Sequence, residues 1–147
     1  MRLSELTGDA QLRKRAGEVM AAFASRLPAM PAMLATLDWS LDQPLEVVLV
    51  LPRGPSGDGL LNLLRRAYLP NAVRAIATEG PDLEKYARAV PLLEGRRAQR
   101  SKTTAYVCRK NVCDLPTSDP ATFAKQLART DPLFLDHSPA PLPAASP

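Results

Sequence analysis

Cys108 and Cys113 carry the most chemistry in this 147-residue chain. They lie in Thr104-Ala-Tyr-Val-Cys-Arg-Lys-Asn-Val-Cys-Asp-Leu-Pro-Thr-Ser-Asp-Pro120, with four residues between them. A thiol pair exchanges disulfides when its surroundings favour the thiolate, as where a C-x-x-C opens a helix. Here the spacer is longer and Cys108 ends an apolar, strand-like run, so a helix dipole does not act on it. Arg109 and Lys110 stand beside Cys108 and would favour its thiolate. If the two sulfurs face each other across a tight hairpin, a disulfide can close. Three readings stay open. The favoured one makes the pair small, partly buried apolar residues that stitch the last strand to the last helix. A reversible disulfide and a shared metal site are the chemical alternatives. With His137 as the lone histidine, this chain by itself does not complete a zinc site, so no metal is assigned.

Two further patterns invite an anion. Gly54, Ser56, Gly57 and Gly59 lie in a turn between an apolar strand and a helix start, where backbone N–H groups can cradle phosphate. The spacing is neither G-x-G-x-x-G nor a Walker loop, and a plain strand-to-helix connection is the favoured reading. Arg96, Arg97, Arg100 and Lys102 form a basic cluster able to touch phosphates. It lacks interleaved aromatics for stacking bases, so it reads as a solvated loop and nucleic acid is disfavoured as a partner. His137 falls in a Pro-rich tail, which leaves no Ser/His/Asp set. No catalytic residue and no cofactor are assigned.

Composition bounds the rest. At 46% hydrophobic and 23% charged, the chain is ordinary globular protein, long enough for one core. The net charge of +4 is modest and mostly local. Apolar runs are strand-sized, so no membrane span is expected. The polar N-terminus lacks the apolar region of a secretory signal; a cytoplasmic location is expected.

The elements follow from periodicity. Residues 9–26 read as a helix, with Leu12, Ala16, Val19, Met20, Phe23 and the following Leu27 recurring at helical spacing on one face and Asp9 as N-cap. Pro31 starts a second helix to about Leu41, completing a helical hairpin. Leu45-Glu-Val-Val-Leu-Val-Leu51 then reads as a strand buried on both faces. Strands are expected again at residues 72–77 and 103–108, alternating with helices that start near Asp58 and Gly80. A βαβαβ order with right-handed crossovers predicts a small, mostly parallel, three-stranded sheet. Residues 111–115 are a candidate hairpin return beside the third strand. Asp119 or Ser118 should cap a last helix with Pro120 at its first position. The fold class is α/β: a helical hairpin at 1–43, a small α/β domain at 44–130, and a disordered Pro/Ala-rich tail at 131–147.

Five segments taken together resemble a known family. They are Leu6-Thr-Gly-Asp-Ala-Gln-Leu-Arg-Lys-Arg-Ala-Gly-Glu-Val-Met20, Glu46-Val-Val-Leu-Val50, Tyr68-Leu-Pro-Asn-Ala-Val73, Leu92-Leu-Glu-Gly95 and the cysteine segment. Their order and spacing are similar to the end of the thioredoxin-domain-containing family known as DUF255 or YyaL-like, with spermatogenesis-associated protein 20 as its animal member. The resemblance runs from about Leu3 to Leu127. It implies a larger parent, with a thioredoxin-like domain, an (α/α)₆ toroid like that of sugar epimerases and six-hairpin glycosidases, and a C-terminal α/β segment. Residues 1–43 would then be the remnant of the toroid. The implied role is a non-catalytic structural and interaction portion; the alternative is part of a redox or sugar-active enzyme that needs the missing domains. A weaker alternative is an anion or nucleic-acid binder. The implied partners are those domains supplied in trans, or a second copy, meeting the Leu12/Val19/Phe23 face. A Met1 start here fits a split gene, a broken gene or a misplaced start.

Overall fold

The computed structural model of the protein describes residues 1–42, 44–55, 57, 59–109 and 112–129. Ser56, Asp58, Lys110, His137 and the tail expected to be disordered lie outside the described residues.

The N-terminal part holds α1 (Arg2–Thr7), α2 (Ala10–Ala22) and α3 (Pro31–Leu41). Asp9 caps α2 by accepting the Gln11 N–H at 2.8 Å. The expected helix through Arg26 stops at Ala22, and a 3₁₀ segment, Ala24–Ala29, follows. Pro28 explains the change: in an α-helix its ring would meet the carbonyl one turn back, whereas the tighter 3₁₀ coil tolerates it. Trp39 of α3 is buried, with the Arg2 guanidinium 4.4 Å from its ring centroid. Arg2 also donates to the Pro70 carbonyl at 2.6 Å. Asn71 donates to Asp38 at 2.9 Å and Asp42 at 3.1 Å. These polar ties fasten the helices to the corner before the second strand. By contrast, α2 buries no residue at all.

The sheet comprises β1 (Leu45–Leu51), β2 (Ala72–Thr78), β3 (Thr104–Arg109) and β4 (Val112–Cys113), in the order β2-β1-β3-β4. Helices α4 (Gly59–Arg66), α5 (Pro81–Ala87) and α6 (Pro120–Ala128) flank it. Strand alternation sorts the core into two layers. Val47, Leu49, Ala105 and Val107 face Leu60, Leu64, Phe123 and Leu127 of α4 and α6. Val48, Val50, Ala75, Ala77 and Tyr106 face Leu83 of α5 and Leu93. β1 is central and covered on both sides, which is why it is almost continuously apolar. Asp119 caps α6 by accepting the Thr122 N–H at 2.7 Å, with Pro120 at the first position.

The expected three-stranded, mostly parallel sheet is corrected here to a four-stranded mixed one. β1 and β2 are parallel, but β3 runs antiparallel to β1, and β4 antiparallel to β3. The reason lies between α5 and β3. The chain does return to the start of β1, since Arg96 reaches Cys108, the register partner of Glu46. It then climbs the same face again: Arg97 meets Tyr106 and Gln99 meets Thr104. A two-residue turn at Arg100 and Ser101, with φ of 52° and 55°, pairs Gln99 with Lys102 and reverses the chain. Two positive φ values are the sign pattern of a type I′ turn. β3 therefore enters from the far end.

Gly80 shows a second backbone constraint. Its φ is 138°, and a Cβ there would lie 2.8 Å from the Arg53 guanidinium. The angle is one that glycine adopts freely and other residues rarely do, and a side chain there would also displace the Arg53 guanidinium.

Candidate functional site

The site grows from the alternation of β3. Residues two apart share a face of a strand, so Thr104, Tyr106 and Cys108 all look toward the segment from Leu93 to Lys102. Each grips it. Thr104 Oγ1 accepts the Gln99 N–H at 2.8 Å and donates to the Lys102 carbonyl at 3.0 Å. Tyr106 Oη accepts the Arg97 N–H at 3.1 Å and donates to the Arg97 carbonyl at 2.7 Å. Arg97, Arg100 and Lys102 expose their side chains, while the backbone of the basic segment is pinned to the sheet by two hydroxyls.

Register completes the site. Cys108 pairs with Cys113 across the β3–β4 hairpin, and the two are joined as a disulfide with Cα atoms 3.9 Å apart. Cys108 is 3% exposed, whereas Cys113 is exposed. Arg96 Nη2 lies 3.5 Å from each sulfur, and its guanidinium sits 4.7 Å from the Tyr106 ring centroid. The ring face attracts the cation and keeps it over the bridge. Across β1, Glu46 is the register partner of Cys108. Burial pushes its carboxyl up from the ordinary value, and Arg96 pulls it partly back. A permanent cation over a half-hidden disulfide can stabilise a thiolate if the bridge opens.

On the other side the hairpin is braced. Asp114 donates its N–H to the Val107 carbonyl at 2.8 Å. Its carboxylate meets Arg109 at 3.4 Å and Arg129 at 2.7 Å. Arg109 also donates to the Gln126 carbonyl, and Gln126 Nε2 donates to the Leu115 carbonyl at 2.9 Å.

The remaining sequence candidates are scattered. Arg97 reaches Glu84 at 3.8 Å, Arg100 forms the turn, and Lys102 pairs with Gln99. Arg53, Glu79, Gly80, Pro81, Glu84 and Arg97 line an open cleft of about 440 Å³. Gly54, with φ of 93°, and Gly57 leave open space where a Cβ would be, and Gly59 starts α4 beside Pro120; Ser56 is outside the described residues. Among the described residues, no group of three or more His, Cys, Asp or Glu could hold a metal. No described helix is long and apolar enough to cross a membrane. Glu46 and Tyr106 escaped the sequence reading. The signal for Tyr106 was its place two residues before Cys108 in an alternating strand.

The chain is thus a mixed α/β unit with a braced disulfide hairpin at one end of its sheet. No family model matches it, and no solved structure does. It is similar to spermatogenesis-associated protein 20 of Homo sapiens: 26% identical over 132 residues, which cover 86% of this chain and 17% of the human protein. The likeness supports a distant relation to that family and to a part of a larger protein. The chain spans about a sixth of the relative's length.

Proposed function

We propose that this chain is a non-catalytic structural and interaction portion of a longer protein of the DUF255 or YyaL-like type. On this reading residues 1–43 close a helical array, residues 44–130 form the C-terminal α/β segment, and the protein works in the cytoplasm. The supporting observation is α2. It carries an apolar face, yet buries no residue, and Val19 and Phe23 remain 54% and 40% exposed. Apolar faces of this kind mark surfaces that another element covers. Helices of the missing part are the proposed cover, supported by the relative's much greater length.

The test is light scattering with apolar-dye binding on the chain alone and on Val19→Asp/Phe23→Asp. The wild-type chain should self-associate or bind dye, and the variant should do neither while keeping its urea midpoint. A wild-type monomer with no more dye signal than the variant refutes the proposal.

A further inference from the structure

We propose that the Cys108–Cys113 bridge is a thiol–disulfide exchange site that takes two electrons from a dithiol reductant. Cys113 is the attacked sulfur and Cys108 the leaving thiolate, held by Arg96. This goes beyond the interaction reading and does not rest on it.

Access decides the order. An attacking thiolate approaches a disulfide in line with the S–S bond, at a sulfur it can reach. Cys113 is exposed and Cys108 is 3% exposed. The electron pair must therefore leave on the buried sulfur. Burial alone would oppose that, because it disfavours the charged form. Arg96, 3.5 Å from Cys108 Sγ and stacked on Tyr106, supplies the opposing charge, and a more stable leaving thiolate departs faster. Tyr106 also holds the backbone of the next residue, Arg97, on both its N–H and carbonyl. Glu46, opposite Cys108 in β1, is the anion that competes for this guanidinium.

Reversibility comes from the brace. The Asp114 N–H bond to Val107, the paired hydrogen bonds of Ala105 with Thr117 at 2.8 and 3.0 Å, and the Gln126 bond to Leu115 do not involve sulfur. The hairpin therefore keeps its shape when the bridge opens, and the two thiols stay opposed for reoxidation.

A thiolate of the dithiol attacks Cys113 Sγ, a new S–S bond forms, the Cys108–Cys113 bond breaks, and Cys108 carries the electron pair. The second thiol of the reductant, having lost its proton, attacks the mixed disulfide at the reductant's sulfur. The reductant closes its own disulfide, and Cys113 leaves as a thiolate. The two protons lost by the dithiol pass to solvent or to the two cysteines. The reductant is oxidised by two electrons and the protein bridge is reduced by two.

The test uses full-length chain purified without reductant. Dithiothreitol reduction is followed by quenched alkylation and mass measurement. Arg96→Gln should slow reduction about ten-fold, the effect of losing one charge contact on a leaving thiolate, and Arg96→Lys should restore part of the rate. The urea midpoint of oxidised Arg96→Gln verifies that it folds. With glutathione disulfide, Cys108→Ser should form an adduct at Cys113 at least several-fold faster than Cys113→Ser forms one at Cys108. Glutathione should stop at the mixed disulfide where dithiothreitol completes reduction; equal completion by glutathione would overturn the dithiol assignment. The proposal fails if Arg96→Gln is reduced at the wild-type rate, if reduction occurs only at the rate of global unfolding, or if the oxidised preparation shows two alkylatable thiols.

Discussion

Replacing both cysteines by alanine tests whether the bridge is a fold-determining staple or an accessory to an already braced hairpin. The bridge spans a sequence separation of 5, so it closes a short loop. Constraining so short a loop in the unfolded chain contributes about 2 kcal/mol at 25 °C in the chain-entropy model. Cys108 is buried, and losing its sulfur resembles a small core deletion of roughly 1 kcal/mol. The sum is well within the ~5–15 kcal/mol stability of a typical domain, so the variant should remain folded. Urea unfolding under non-reducing conditions should show a midpoint lower by roughly 1–2 M, with unchanged far-ultraviolet circular dichroism before the transition. Reduced wild type should fall near the variant. A variant that fails to fold, or a loss above ~5 kcal/mol, would refute the reasoning by showing that the brace of Asp114, Thr117 and Gln126 does not hold the hairpin by itself. No difference between oxidised wild type and the variant would show that the bridge does not form.

Phe123→Ala empties a fully buried site between α6 and the sheet and should cost about 3–5 kcal/mol in urea unfolding; a loss below ~1 kcal/mol would contradict the packing. Ser101 adopts a φ of 55°, costly for any residue with a Cβ, so Ser101→Gly should stabilise by up to about 1 kcal/mol, and a destabilised variant would argue against the turn. Burial raises the Glu46 carboxyl more than Arg96 lowers it, so its ionised form is less favourable in the fold than in the unfolded chain. Stability on that account falls as pH climbs from the ordinary carboxyl value through the raised one, and levels off above it. Glu46→Gln should gain stability relative to wild type toward neutral pH and lose that advantage in acid; chemical denaturation across a pH series reads this, and the opposite trend would remove burial as the cause.

What the sequence disclosed was local. β-branched and leucine residues from Leu45 to Leu51 dictated a strand covered on both faces, and Asp9 and Asp119 marked helix starts through short polar side chains ahead of apolar stripes. What it withheld was direction. A crossover was legible between β2 and β3, but its second pass along the sheet was not. The reversing turn uses Arg100 and Ser101 rather than the Asn-Gly type of signal, and the grip on that pass comes from Thr104 and Tyr106, which read only as strand formers. A hairpin suspected at residues 111–115 left a Cys108–Cys113 bridge open, but the favoured reading made the two small, partly buried apolar residues, where the structure has a disulfide with Cys113 exposed. The approach of Arg96 was not legible, because charge clusters in a sequence do not reveal what they lie across.

The doubled-back segment also orders assembly. β1 is the hub of the sheet, yet both its neighbours are distant in sequence, so its hydrogen-bonding edges wait on loop closures of unequal length. The β1–α4–β2 unit needs only one and can form early. The second edge fills only when the chain between α5 and β3 has turned twice. Non-local pairing of that kind slows folding because closure entropy precedes the contacts that offset it. While that edge is open, the unpaired N–H and C=O groups of β1 are available to other chains, a hazard that the placing of β3 removes.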